Sequence, residues 1–213
     1  PQNSISGLWT QQGPGNIGAR VSAVAIHPTN QNIIYVGFPN GGVFKTTNGG
    51  ASWNAIFDNQ ATLMIGAIAI DPKNSETIYV GTGDPDISGY PFAGNGIYKS
   101  TDGGNNWFVV RAGNNDGYRS IQFFGDFGIA CGNNGNIMKT TNGGVNWVVI
   151  TRITENSLRS LYFTNENTGY LAGYHGTILK TTNGGLSLLQ SNNEIIPQKY
   201  LLHQNYPNPF NPI

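Results

Sequence analysis

The chain predicts an all-β fold built from repeats, and three observations carry that prediction. A nine-residue string, KTTNGGASW at 45–53, returns as KSTDGGNNW at 99–107, KTTNGGVNW at 139–147 and KTTNGGLSL at 180–188. Their leading residues Lys45, Lys99, Lys139 and Lys180 stand 54, 40 and 41 residues apart, a spacing that marks stacked or radial repeats. No segment has a helical hydrophobic period, whereas short β-branched and aromatic runs alternate with Gly, Asn and Pro turns. Four short antiparallel strands per ~40 residues is the content of one β-propeller blade. The expected architecture is a propeller of about four blades, at 21–57, 66–111, 117–151 and 158–190.

Each element follows from local composition. Residues 7–13 (GLWTQQG) read as one strand carrying Trp9. Segments 21–37 (VSAVAIHPTNQNIIYVG) and 66–81 (GAIAIDPKNSETIYVG) are near-copies offset by 44 residues: a strand, a Pro-containing turn, and a strand ending in Gly. A third strand follows in each, GGVFKTT (41–47) and NGIYKST (95–101). The repeated string then turns the chain, and a fourth strand starts at the Trp, SWNAIF (52–57) and NWFVVR (106–111). The third unit runs through YRSIQFF (118–124), GIACG, NIMKTT and NWVVIT (146–151). The fourth runs through LRSLYFT (158–164), GYLAG (169–173) and GTILKTT (176–182).

Residue types explain the repeated turn. Asn48, Asp102, Asn142 and Asn183 are expected to turn their side chains onto backbone N–H groups two residues on. The hydroxyls before them, Thr46, Ser100, Thr140 and Thr181, add a weaker bond of the same sort. Gly50, Gly104, Gly144 and Gly185 end glycine pairs that supply the positive φ a tight hairpin needs. Trp53, Trp107 and Trp147 begin the last strand, where an aromatic locks the hairpin onto its blade. All of this is structural work rather than ligand binding.

Composition excludes several function classes. Eleven basic residues balance eleven acidic ones and are scattered, so neither nucleic acid nor an anionic membrane is an expected partner. The longest apolar run, LMIGAIAI (63–70), is far shorter than a membrane-spanning helix. The single cysteine, Cys131, excludes an internal disulfide framework and reads as a small buried residue rather than a reactive thiol. His27, His175 and His203 have no metal-ligand spacing, and no phosphate-cradling loop or Ser-His-Asp constellation is visible, so neither cofactor nor metal is expected. The chain begins at Pro1 without a signal peptide, as after removal of a leader or in a fragment.

The string S/T-x-D/N-x-G-x-x-W resembles the Asp-box, or bacterial neuraminidase repeat, of sialidases, sortilin-like propellers and xyloglucanases. Three of the four copies carry Asn for Asp, and the fourth has Leu188 in place of Trp. In those families the box lies on the blade periphery, so the resemblance implies a propeller and not an enzyme. Residues 13–107 resemble the sortilin-like propellers of bacterial secreted proteins, and 158–185 resemble propellers related to photosystem II assembly and stability factors. The tail, IPQKYLLHQNYPNPFNP (196–212), resembles the opening of a type A C-terminal sorting domain of the type IX secretion system. Its motif residues are Asn205, Tyr206, Pro207, Asn208, Pro209, Phe210, Asn211 and Pro212. The resemblance implies a secreted or outer-surface protein that meets the type IX machinery. The expected domains are a propeller at 1–190 and a linker with a truncated sorting tail at 191–213.

Candidate sites are sparse. The second unit has eighteen positions from Gly81 to Lys99 where the first has eight from Gly37 to Lys45. The insertion contains Asp84, Asp86, Tyr90 and Phe92, a set suited to a sugar or a cation on a loop. A plain Pro/Gly-rich surface loop is the competing reading. Asp58 is a weaker candidate of the same kind. Arg20, Arg111, Arg119, Arg152 and Arg159 are numerous enough for a sialidase arginine triad but lack its surrounding motifs. The expected function is a non-catalytic scaffold for protein or glycan binding. The alternative is a propeller glycoside hydrolase (sialidase- or xyloglucanase-like), which needs two opposed carboxylates. Inward carboxylates in a cleft mark the hydrolase; clustered aromatics or arginines on a flat face mark protein binding. Trp9 and its strand complete either the fourth blade, closing a four-bladed ring, or the last blade of a larger one.

Overall fold

A computed structural model describes residues 10–14, 20–83, 94–113 and 117–185. The strands are β1 (Ala23–Ile26), β2 (Ile34–Phe38), β3 (Gly42–Thr46), β4 (Asn54–Ala55), β5 (Ile65–Ile70), β6 (Ile78–Thr82), β7 (Gly96–Ser100) and β8 (Phe108–Ala112). They continue as β9 (Tyr118–Phe124), β10 (Phe127–Gly132), β11 (Ile137–Thr140), β12 (Val148–Val149), β13 (Leu158–Phe163), β14 (Gly169–Gly173) and β15 (Ile178–Thr181). They form antiparallel sheets in sequential order, β1–β4, β5–β8, β9–β12 and β13–β15. These are blades 1 to 4. The fourth strand expected for blade 4, at 186–190, lies outside the described residues, as do Trp9, Leu188 and the tail at 205–212. Residues 10–14 are not in a strand.

Consecutive blades bury a shared core between their faces, because each short sheet is apolar on both sides. Blades 1 and 2 share Tyr35, Val43, Phe57, Ile68 and Tyr98; blades 2 and 3 share Ala69, Tyr79, Ile121, Phe123 and Met138. Blades 3 and 4 share Ile129, Cys131, Ile137, Leu161 and Leu171. Cys131 is fully buried, and burial pushes its thiol up to about 12, which makes it inert.

The repeated hairpin has the same bonding in all four blades, and the hydroxyl, not the amide, is its hub. Thr46 Oγ1 accepts the N–H groups of Asn48 and Gly50 at 3.3 and 3.0 Å and donates to Asn48 Oδ1 at 2.8 Å. Ser100, Thr140 and Thr181 do the same for Gly104, Gly144 and Gly185. Asn48 Oδ1 accepts the N–H of Ser52, four residues on rather than two, at 2.9 Å. The reason is the glycine pair: φ of 69° at Gly49 and 96° at Gly50 coils the chain so that the later N–H swings round.

The tryptophans also act differently from expectation, since they lock a hairpin onto the preceding blade. Trp107 Nε1 donates to the Ile56 carbonyl of blade 1 at 2.8 Å, with its ring edge-on to Phe57. Trp147 packs into the core between blades 2 and 3, but its buried Nε1 has no hydrogen-bond partner. The carbonyl position it would use falls at the bulge around Val110.

Asp102 is the one carboxylate at its position among the four repeated hairpins, and hydrogen bonds from Asn106 and Ser100 lower it to about 2. Its folded value is depressed, so its contribution is present above the unfolded value and lost as pH falls from about 4 to about 2. Asp102→Asn, which recreates the asparagine of the other three hairpins, is expected to leave the melting temperature nearly unchanged at pH 7. Thermal melts between pH 4 and pH 2 should then show the wild type losing stability faster than the variant. Parallel curves would remove the role given to this carboxylate.

Candidate functional site

Antiparallel order puts the repeated hairpins, and the turns joining first to second strands, at one end of the propeller. Turns joining second to third strands, and the blade-to-blade connections, share the other end. A cluster of charged and aromatic side chains is built there, and β-bulges create it. In β5, β9 and β13 the register shifts so that Gly66, Arg119 and Arg159 are the extra, unpaired residues. A bulge re-aims the side chain of its extra residue. Gly66 cannot be replaced without moving backbone, since a Cβ there would stand 1.9 Å from the Tyr118 carbonyl. In blades 3 and 4 the same position is given to arginine.

Both guanidinium groups are held by the turn that follows the second strand. Arg119 Nε donates to Asn133 Oδ1 at 3.4 Å, and Arg159 donates to Tyr174 Oη at 2.7 Å. Asn133 and Tyr174 occupy equivalent places, each opening a one-turn 3-10 segment (Asn133–Gly135 and Tyr174–Gly176). Both arginines also lie over the Tyr174 ring, with guanidinium carbons 5.5 and 4.7 Å from its centroid. Tyr174 itself is 41% exposed. His175, at a positive φ of 55°, is paired with Asn156 Oδ1 at 3.2 Å, and Asn156 donates to Thr177. The result is a preorganised cationic and aromatic patch. Planar guanidinium stacked on tyrosine suits carboxylate recognition.

The other sequence candidates are placed as follows. The insertion joins β6 to β7, and its described ends, Gly83 and Gly94, open at this same end. Asp84, Asp86, Tyr90 and Phe92 lie outside the described residues. Asp58 is exposed beyond β4. His27 is a turn residue: its Nδ1 accepts the N–H groups of Thr29 and Asn30 at 3.3 and 3.1 Å, as Asp71 Oδ1 accepts that of Lys73. Among the described residues no group of three His, Cys, Asp or Glu side chains could hold a metal. A cavity of about 260 Å³ beside Lys139, Val149 and Gly185 contains no carboxylate, and one of about 550 Å³ beside Lys73, Phe124 and Asn165 contains only Glu166. Partial burial lowers the pKa of Lys139. Sequence reasoning missed Tyr174 and the pairing of Arg119 with Arg159. The signal was there, since Tyr-Arg-Ser at 118–120 and Leu-Arg-Ser at 158–160 occupy one register of the repeat.

No protein-family model and no curated protein matches the chain. Solved structures do, with a propeller fold. An ancestral GH74 enzyme is 28% identical with a TM-score of 0.66; the match covers 84% of this chain and 24% of that one. YCF48 from Cyanidioschyzon merolae is 18% identical with a TM-score of 0.58, covering 78% of this chain and 54% of that one. YCF48 bound to D1 peptide is 16% identical with a TM-score of 0.53, covering 77% and 55%. The chain thus spans about a quarter of the GH74 enzyme and about half of YCF48, and what it shares with the YCF48 structures is the β-propeller fold.

Proposed function

We propose that this protein is a secreted or cell-surface, non-catalytic propeller that binds an anionic protein segment through Arg119, Tyr174 and Arg159. The observation carrying the reading is the exposed tyrosine with two guanidinium groups over its ring. Arginine and tyrosine dominate the energetics of protein interfaces, and here their geometry is fixed before any partner arrives. A propeller neighbour bound to a peptide supports the same reading. In this proposal the repeated hairpins are Asp-boxes with a structural role only, and 1–190 is the binding domain. Residues 191–213, with the motif Asn205–Pro212, address the chain to the type IX secretion machinery.

The likeness to a GH74 enzyme favours a second reading, hydrolysis of a glycan by loop carboxylates. One experiment separates the two. Fluorescence anisotropy with a library of acidic peptides, run beside reducing-sugar assays on a glycan panel, should give peptide binding and no sugar release. Arg159→Ala and Arg119→Ala are each expected to weaken binding about tenfold, or ~1.4 kcal/mol, with an unchanged melting temperature. Binding should also weaken with added salt. Sugar release without arginine-dependent peptide binding would overturn the proposal.

A further inference from the structure

Blade 4 carries the two side chains that clasp one blade to the next elsewhere in the molecule. Tyr35 and Lys45 of blade 1 both hydrogen-bond the carbonyl of Gly103, the first hairpin glycine of blade 2, at 3.3 and 2.9 Å. Tyr79 and Lys99 of blade 2 do the same to Gly143 of blade 3, at 2.8 and 2.7 Å. In both pairs the residues are cross-strand partners, with the ammonium 5.4 Å from the ring centroid. Tyr170 and Lys180 of blade 4 are partners in the same register, at 5.5 Å. Among the described residues neither head group has a hydrogen-bond partner.

The matching acceptor is in blade 1. Gly49 is the first glycine of its hairpin, with φ of 69° against 68° at Gly103 and 61° at Gly143. Its N–H is fixed by the Asn32 carbonyl at 3.0 Å, as those of Gly103 and Gly143 are fixed by Glu76 and Asp126 at 2.9 Å. We propose that Tyr170 Oη and Lys180 Nζ clasp the Gly49 carbonyl, so that blade 4 packs on blade 1 of the same chain and closes a four-bladed ring.

Two further features fit this partner. Trp53 Nε1 donates to the Gln12 carbonyl at 2.8 Å, as Trp107 Nε1 donates to that of Ile56. A Cβ on Gly50 would stand 2.8 Å from Gln12 O, just as one on Gly104 would stand 2.5 Å from Ile56 Cδ1. Residues 10–12 therefore hold the place of an outer strand in the blade preceding blade 1. In a closed ring that blade is blade 4. The end faces are also apolar where their counterparts are covered. Val24 is 57% exposed while Ile68, its equivalent in blade 2, is 8% exposed; Ile178 of blade 4 is 73% exposed while Ile137 of blade 3 is 3% exposed. Closure covers both faces with each other.

Zero-length carbodiimide cross-linking of the full chain tests this, read by peptide mass spectrometry. The native pair Lys45 and Glu76 is the internal control, since both heads lie against Gly103. Asn32 holds the place of Glu76, so Asn32→Glu sets a carboxylate beside the proposed clasp, and Asn32→Asp gives a second placement. The expected result is a 32–180 link in the monomeric fraction with a yield like that of the 45–76 control, lost in Lys180→Arg. A control link without any 32–180 link overturns the ring. So does a 32–180 link confined to covalent dimers, which would make the clasp a head-to-tail contact between two copies.

Discussion

Tyr79→Ala is expected to lower the unfolding free energy by about 3–5 kcal/mol, and Tyr79→Phe by only about 1. Urea denaturation of the three proteins measures both. Tyr79 is fully buried between blades 2 and 3, with its ring stacked 3.6 Å from that of Phe123 at 8° between planes. Truncation removes that stack and opens a cavity bordered by Phe123, the hairpin at Gly144 and the Lys99 stem, none of which can collapse inward without moving a sheet. The hydroxyl contributes less because Lys99 also reaches the Gly143 carbonyl, at 2.7 Å. Burial, helped by the negative Asp71 and Asp126, raises the Tyr79 pKa, so the group stays a donor across the accessible pH range. Blades that touch only their neighbours split stability into blade and interface contributions, and this variant attacks one interface. A loss below about 1 kcal/mol for the alanine variant would contradict the packing described.

How much of this was legible in the chain depends on how far each contact reaches. The strand order and the hairpins are set by pairings within one repeat, no more than 22 positions apart, and composition declares them: β-branched runs for the strands, Asn-Gly-Gly for the turns. The hub of the hairpin was misjudged because Asn is the usual turn-former. Only the three-dimensional coil of two positive-φ glycines brings the Gly50 N–H back to Thr46 Oγ1. Contacts across blades were less visible. Trp107 reads as an anchor for its own strand, yet its acceptor is Ile56, in the preceding repeat. Lys45 heads the repeated string and marks only its spacing in the sequence, yet it clasps Gly103 of the next repeat. The Arg119, Arg159 and Tyr174 patch depends on two bulges and a 3-10 turn, and bulges have no composition signal of their own. By composition the insertion, with Asp84, Asp86, Tyr90 and Phe92, suits a sugar or a cation, and these four lie outside the described residues. Among the described residues the organised side chains at that end are basic and aromatic.

Thr140→Val should cost about 2–4 kcal/mol, whereas Thr140→Ser should cost less than about 1. Valine keeps the shape and removes one oxygen. That oxygen is 99% buried with its residue, accepts from the N–H groups of Asn142 and Gly144 at 3.3 and 3.0 Å, and donates to Asn142 Oδ1 at 3.0 Å. Without it the Gly144 N–H has no acceptor inside the hairpin, and an unsatisfied buried donor costs about 1–3 kcal/mol by itself. Serine is tolerated because blade 2 already uses it: Ser100 makes the same bonds at 3.3, 2.9 and 2.8 Å. The consequence extends past the turn. The loop that Thr140 fixes contains Gly143, whose carbonyl is the target of Tyr79 and Lys99 from blade 2. Loosening the hairpin should therefore weaken the clasp, and Thr140→Val combined with Tyr79→Phe should cost less than the sum of the two single changes. A coupling of about 0.5 kcal/mol or more in this double-mutant cycle would make turn chemistry and blade docking one network; strict additivity would separate them.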